Sequence, residues 1–473
     1  MAARNVSDPD VWWHLKTGQL IVESHTVPHT DPFSYTRAGQ PWVAHEWLSD
    51  VLLYELQRTA GWGALIIIFA AIIGAAFFLL LLRCGKNYYL AGVLTLWAAF
   101  STRPLWGVRP QMLSLLLTSL WLLILERSES KPKLLWWTLP LTVLWVNLHA
   151  GFALGIGLSA LFLFGEWTEH FLGRIENAGR LRALGLNLAL DVVLVCLNPN
   201  GIELYSYPIA TLRSSAMQTY IAEWASPNFH RSEYWPFLSI FIGVLALILW
   251  ARFDIRTRDL LLLIVSLTAA LRSIRLIPIF VLIAVPIAAR LIDRRIQENR
   301  VERHGRTRVP AATGYALNGL LGLSFLLFVV FHTIHIIGRQ PKTEAQDFPL
   351  RAVSFLHTNE FQGNIFNHYD WGGYLIWKLY PSRVFIDGRA DVYGEEFLSQ
   401  YASTYQFKND WRQILDRWQI ESVLVPPNSA LAAGLAQNSD WQAVYEDNQA
   451  VVLRRKKSSG RFAQDSGFIA TRQ

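Results

Sequence analysis

Two cysteines in 473 residues, and charge on only 17% of positions, set the first limits on this chain. Two cysteines cannot build a disulfide framework. The topology derived below puts Cys84 and Cys196 on opposite membrane faces, so no bridge between them is expected. Soluble domains carry charge on roughly 25% of residues, and a deficit of this size goes with a chain that meets lipid. The opening residues lack the basic and apolar regions of a secretory leader. No internal repeat is present, and polar residues gather at one membrane face instead of mid-span, which speaks against a transporter. The net charge of +7 is read as loop charge at the cytoplasmic face, so no nucleic-acid partner is expected.

What the chain has in abundance is apolar and aromatic surface: 52% hydrophobic residues, 20 Trp and 26 Phe. Apolar runs recur from about residue 63 to 337 at lengths near those that cross a bilayer. They predict about ten spans, near 63–82, 88–100, 110–125, 134–147, 151–167, 184–197, 236–251, 259–270, 276–292 and 314–337. Loops 83–87, 126–133, 168–183, 252–258 and 293–313 hold 17 Lys/Arg, while the alternate loops 101–109, 148–150, 198–235 and 271–275 hold 6. The positive-inside rule makes the first set cytoplasmic. Residues 1–61 and everything after 337 then lie outside, in a multi-pass protein of the inner (plasma) membrane. A first segment outside with no span ahead of it implies that a first helix is missing.

The expected organisation is a polytopic α-helical membrane protein with a small α/β domain at its C-terminal end. Residues 1–61 form an extracytoplasmic first loop, 62–340 the helical membrane domain, 341–456 a soluble extracytoplasmic domain, and 457–473 a disordered tail. In the soluble domain, strands are expected at Asn364–Asn367, Arg383–Asp387 and Glu421–Val425, with a helix near 349–358 and helices near 394–417. Trp441–Glu446 and Gln449–Arg454, parted by Asp447-Asn448, read as a hairpin.

Residues 1–61 run against the charge of the chain, with seven Asp/Glu against four Lys/Arg. Asp8-Pro9 predicts a helix start, Asp8 as N-cap and Pro9 at the first helical position. Asp10, His14 and Thr17 then share one polar face, with Trp12 and Trp13 anchoring the helix flat in the membrane interface. Gly18 to Gln40 is turn-rich, and a second helix is expected from about Ala44 to Arg58.

The outer face collects Asp8, Asp10, His14, Asp31, His45 and Glu46 from this segment. It also holds Arg103 and Arg109 around Pro104-Leu105-Trp106-Gly107, and the turn Asn147-Leu148-His149-Ala150-Gly151. Glu223-Trp224-Ala225-Ser226-Pro227 lies on the long loop, and Arg272 and Arg275 on a short one. Carboxylates and arginines together suit a chemistry that deprotonates a hydroxyl and binds a phosphate. Asp10, Asp8 and Glu46 are the candidate catalytic carboxylates. His14, His45, Arg103, Arg109, His149, Arg272 and Arg275 are candidate substrate ligands. Each also has a structural reading: Asp8 as a plain cap, Asp10 as a favourable charge at the helix dipole, Glu46 with Asp50 as a solvated face, and the arginines as side chains snorkelling to lipid. No metal ligand is assigned, because the spacing of Asp10, His14, His45 and Glu46 does not decide for or against one. Asp191, inside a span, is expected to have a helix-packing partner. The segments His368–Tyr374 and Asp387–Tyr393 follow strands, where α/β domains place ligand sites, though loops that dock the domain are the preferred reading.

Asp10-Val11-Trp12-Trp13-His14-Leu15-Lys16-Thr17-Gly18 resembles the first outer loop of bacterial GT-C glycosyltransferases. So do Asp31-Pro32-Phe33-Ser34-Tyr35-Thr36 and His45-Glu46-Trp47-Leu48. The resemblance covers about residues 1–340 and is closest to the RgtA/B/C/D-like group. It implies an inverting transfer of a sugar from a polyprenyl-phosphate carrier to an extracytoplasmic glycan, lipid or protein. The general base of that family maps onto Asp10, with Asp8 second, and a later loop carboxylate onto Glu46. Arg272 and Arg275 would hold the carrier phosphate. Members with and without a metal exist, so no cofactor is certain and Mg²⁺ or Mn²⁺ stays open. The competing expectation is a non-catalytic scaffold or sensor in cell-envelope polysaccharide assembly.

Overall fold

A computed structural model describes residues 2–174, 178–250, 255–298, 311–361 and 363–456. The expected disordered tail at 457–473, and parts of the loops at 168–183, 252–258 and 293–313, lie outside the described residues. The chain divides into two compact units. One is the chain up to Asp31 with Gln40–Glu344, and the other is Pro32–Gly39 with the chain from Ala345 onward.

The first unit is helical. Its elements are α1 (Val11–Ser24), α2 (Trp47–Arg83), α3 (Tyr88–Thr102), α4 (Gln111–Arg127), α5 (Thr138–Leu148), α6 (Phe152–Phe171) and α7 (Ala178–Leu194). The short α8 (Ser206–Arg213) and α9 (Ser215–Tyr220) follow, then α10 (Trp235–Trp250), α11 (Thr257–Arg272), α12 (Ile277–Glu298) and α13 (Ala311–Asp347). Each of the ten expected spans contains one of these helices. Only four stretches are long and apolar enough to cross a bilayer by themselves: Trp47–Arg83, Ser232–Trp250, Ile274–Gln297 and Asn318–Asp347. The expectation of ten crossings is therefore reduced to four clear ones among the described residues. An 11-residue helix such as α5 is about 17 Å long, short of a hydrocarbon core of about 30 Å. α13 exposes apolar side chains all round, Phe325 and Phe331 among them, a surface that water does not tolerate and lipid does.

Trp12 and Trp13 of α1 do not serve as interfacial anchors. Trp12 is fully buried, edge-on to Trp62 of α2 with centroids 5.2 Å apart, and Trp13 is buried against His14 and Trp42. A β-carbon on Gly18 would sit 2.1 Å from the Asp50 carbonyl oxygen, so the backbones of α1 and α2 touch there and only glycine fits. The tryptophans are thus core residues, and α1 runs on to Ser24 through what the sequence suggested was turn. The two helices expected around residues 44–82 are one element broken at Gly61, whose φ of +70° is a glycine conformation.

At the end of the bundle away from α1, one ion-pair network ties six helices. Arg83 of α2 forks onto Glu126 of α4 at 2.9 Å, and Arg290 of α12 reaches Glu126 at 3.7 Å and Asp259 of α11 at 3.1 Å. Arg258 binds Asp259, Glu129 and Glu166 of α6, and Arg180 of α7 forks onto Glu166 at 2.7 and 2.9 Å. Gly165 lets α6 approach, since a β-carbon there would meet the Arg258 backbone at 2.6 Å. Asp191 of α7 has the packing partners expected of it, the hydroxyls of Thr142 at 2.6 Å and Thr138 at 3.1 Å on α5.

The second unit is the small α/β domain. Its sheet runs β1 (Asn364–Asn367), β2 (Ile420–Val425), β4 (Val451–Arg455), β3 (Trp441–Glu446), with β1 and β2 parallel and the other pairs antiparallel. The hairpin expected at 441–454 is the β3–β4 pair. Helices α14 (Leu350–Thr358), α15 (Gly372–Leu379), α16 (Ala390–Tyr405), α17 (Trp411–Arg417) and α18 (Ala430–Ala436) pack around it. Arg383–Asp387 does not join the sheet. It pairs with Pro32–Gly39: Tyr35 N–H donates to the Val384 carbonyl at 3.1 Å, Val384 N–H to Phe33 at 3.0 Å, and the Thr36 hydroxyl to Phe385 at 2.7 Å. The strand expected at 383–387 does not form; the segment makes one isolated bridge, Val384 with Ser34, to a partner over three hundred residues upstream. Asp387 forms a buried fork with Arg389 at 2.7 and 2.8 Å and accepts the Tyr393 hydroxyl. Gly372 abuts the Ile386 carbonyl, where a β-carbon would sit 2.1 Å away, so this glycine serves packing.

Candidate active site

The helix start at Asp8 builds the first part of the site. Regular helix begins at Val11, yet Asp8 acts as a cap, its Oδ1 accepting the Asp10 N–H at 2.9 Å. Its other oxygen lies 3.3 Å from Nη1 of Arg109. Arg109 also pairs with Glu223, whose second oxygen is 3.9 Å from Nη1 of Arg275. A chain of alternating charge therefore runs Asp8, Arg109, Glu223, Arg275. The Asp10 carboxylate stands beside it, bonded to the Trp13 indole N–H at 3.1 Å. Burial, then the charges of Asp8 and Glu223, raise the Asp10 carboxyl to about 7, against the pull of His14 and the Trp13 bond.

One turn along α1, His14 begins the second part. Its Nδ1 is 2.6 Å from Asp50 and its Nε2 is 3.3 Å from Glu46. With a carboxylate at each ring nitrogen it is placed as an imidazolium. Burial works against that charge, but Asp50, Glu46 and Asp10 raise the ring to about 9. Glu46 is ringed by three imidazoles, with Nε2 of His14, His45 and His149 at 3.3, 3.4 and 3.2 Å. Burial opposes its ionisation, yet His45, His149 and His14 hold its carboxyl well below the usual carboxylate range. His149 differs from His14. The Gly151 N–H donates to its Nδ1 at 2.8 Å, so that nitrogen is an acceptor and the proton sits on Nε2, toward Glu46. Burial pushes this ring down to about 3, helped by Arg275, and it stays neutral. The Ser114 hydroxyl, 2.7 Å from the same Nδ1, and Trp47 and Ser49, bonded to Asn147 and the Leu148 carbonyl, fix this turn.

The structure thus gathers Asp8, Asp10, His14, His45, Glu46, Arg109, His149 and Arg275. It leaves Arg103 exposed near Arg4 and Arg272 exposed, 3.5 Å from Gln218, both outside the charge chain. Asp50, Ser114, Trp13 and Glu223 belong to the site although the sequence did not single them out as ligands. Asp50 was legible as the residue four after Glu46, which faces the same way on a helix. Glu223 carried no such mark. Among the described residues no group of three or more His, Cys, Asp or Glu is arranged to hold a metal ion.

No family model matches the chain, and no curated protein matches it in sequence. Solved structures do. The oligosaccharyltransferase AglB from Archaeoglobus fulgidus, in complex with an inhibitory peptide and a dolichol-phosphate, superposes with a TM-score of 0.54 at 12% identity over 89% of this chain. ArnT from Cupriavidus metallidurans bound to undecaprenyl phosphate gives 0.50 at 13% identity over 97% of this chain and 95% of its own. The fold resembles that of these two solved proteins, AglB and ArnT. The chain spans 66% of the length of AglB. At these identities the likeness is one of fold, and it agrees with a membrane protein whose helices expose apolar surface.

Proposed function

We propose that this GT-C protein moves a sugar from a polyprenyl-phosphate carrier to an extracytoplasmic acceptor, a glycan, lipid or protein, at the outer face of the inner membrane. One observation carries the reading: Asp10, a carboxyl raised to about 7, stands beside arginines that suit a phosphate. A base is most effective when its pKa lies near the working pH. Asp10 takes the proton of the acceptor hydroxyl as that oxygen attacks the anomeric carbon in line. The bond from that carbon to the phosphate oxygen breaks, the sugar inverts, and the carrier phosphate leaves with the bonding pair. Arg109 and Arg275 balance its charge by charge-assisted hydrogen bonds. Asp8 is committed to the Asp10 N–H and Arg109, so it positions and does not act as base. Glu46, held ionised by three imidazoles, is a poor base and organises His14, His45 and His149. The carriers bound to AglB and ArnT support the donor class by analogy of fold.

The test is transfer from a set of polyprenyl-phosphate sugars in membranes holding wild type or Asp10→Asn at equal expression. Asp10→Asn is expected to lose on the order of 10²–10⁴ in rate. Full activity in Asp10→Asn would move the base elsewhere, and no transfer by wild type from any donor would favour the scaffold reading.

A further inference from the structure

Glu223 sits in a short turn, Ala222–Trp224, tied to the segment that carries Arg275. The Ser273 hydroxyl donates to the Glu223 carbonyl at 3.0 Å, Ile274 N–H donates to Ala225 at 3.0 Å, and the Arg275 guanidinium lies 5.5 Å from the Trp224 ring centre. Its carboxylate takes Arg109 with one oxygen and Arg275 with the other. Burial works against ionisation of Glu223, but the two arginines hold it below the ordinary range. The Glu223 side chain is 30% exposed, that of Arg275 28% and that of Arg109 12%, so Arg109 is the inner partner and Glu223 lies toward solvent beside Arg275. Arg109 also keeps spare capacity, since its buried Nε–H has no acceptor among the described residues. A carboxylate and a phosphodiester share a description here, one negative charge spread over two oxygens that can each face a guanidinium.

We propose that Glu223 is a placeholder for the donor phosphate, occupying the anion position between Arg109 and Arg275 until a phosphate ester displaces it. This rests on the reading of those arginines as the phosphate subsite. The two arginines, Arg109 above all, are then never left without a counter-charge, and the carboxylate competes with every phosphate ester that arrives, including the carrier phosphate left after transfer. A merely supporting Glu223 would act the other way, because removing it would disorder the arginines and weaken phosphate binding.

Binding of undecaprenyl phosphate to the full chain in detergent micelles, measured by calorimetric titration, separates the two. Under the placeholder role Glu223→Gln and Glu223→Ala bind on the order of tenfold tighter than wild type, because a like charge has gone from the subsite, and product inhibition of transfer rises in step. Equal or weaker binding in both variants overturns the proposal, as does absence of binding in all three proteins. Thermal unfolding of each variant shows whether it is folded, and Gln, which keeps the shape of Glu, is the variant that decides if Ala does not fold. Transfer by wild type with unchanged binding in the variants would sink the placeholder and leave the transfer reading standing. Tighter binding in the variants without transfer by wild type would do the reverse.

Discussion

Asp10 and His14, four residues apart on one helix face, are driven in opposite directions by the same burial. A base works only when deprotonated, so a carboxyl at about 7 makes kcat/KM climb as pH rises through 7 and fall away below it. The positive charge of His14 lowers the Asp10 carboxyl, so His14→Gln is expected to move that rising limb to higher pH. A limb that stays in place, or lies near an ordinary aspartate value, would show that Asp10 is not the titrating base. The stability carried by His14 has the opposite slope. Its raised imidazole contributes fully below the unfolded value of about 6.5, and that contribution is lost as pH climbs through about 9. At this scale the sequence was informative where function and helix period coincide. Asp10 and His14 fall four apart, and Glu46 and Asp50 likewise. It was silent where a residue is brought in by packing. Ser114 reaches His149 across the bundle, and Glu223 meets Arg109 from a loop, and no local spacing encodes either contact.

Helices α4, α6, α7 and α11 owe their arrangement to charge as much as to apolar surface. Glu166 sits 8% exposed between Arg180 and Arg258, so removing it leaves buried guanidinium charge with less to balance it. Glu166→Ala is expected to cost about 3–5 kcal/mol, read as a lowered midpoint of thermal unfolding in detergent. Glu166→Gln should cost less, because it keeps hydrogen-bond acceptance. Hydropathy marked the position of ten helices of the bundle, since long apolar runs are legible at any depth, but not the short α8 and α9 in the loop at 198–235. Four of the described helices are long and apolar enough to cross a bilayer alone; α3 to α7 bury part of their surface on neighbours and need not be as long or as apolar as a lone span. α1 shows the same limit. Two adjacent tryptophans before a membrane segment look like an interfacial anchor, and only Gly18, by admitting the α2 backbone, makes them core.

For the molecule as a whole, the second unit is discontinuous. Pro32–Gly39 supplies Phe33, Tyr35 and Thr36 to residues 383–385, and the Tyr35 hydroxyl reaches the Ile365 carbonyl at 3.0 Å. Residues 345–456 expressed alone should therefore be less stable than the same residues with a 32–39 peptide added. The comparison is a denaturant melt with and without the peptide, and equal midpoints would rule it out. Deletion of the C-terminal domain to test acceptor choice would, for the same reason, strip the pairing partner from 32–39 as well. The apolar run Val384-Phe385-Ile386 suggested a strand, but the structure has only a single bridge there, Ser34 with Val384, because the segment's partner lies far upstream and outside the sheet.

This discontinuity also orders the birth of the protein. The ribosome releases Pro32–Gly39 before Arg383–Asp387, and the edge groups of the first segment wait unpaired through the synthesis of helices α2 to α13. A bare, aromatic, strand-prone edge that waits is open to pairing with the wrong neighbour. The β3–β4 hairpin can close locally as it emerges, but the pairing of 383–385 must find a segment made over three hundred residues earlier.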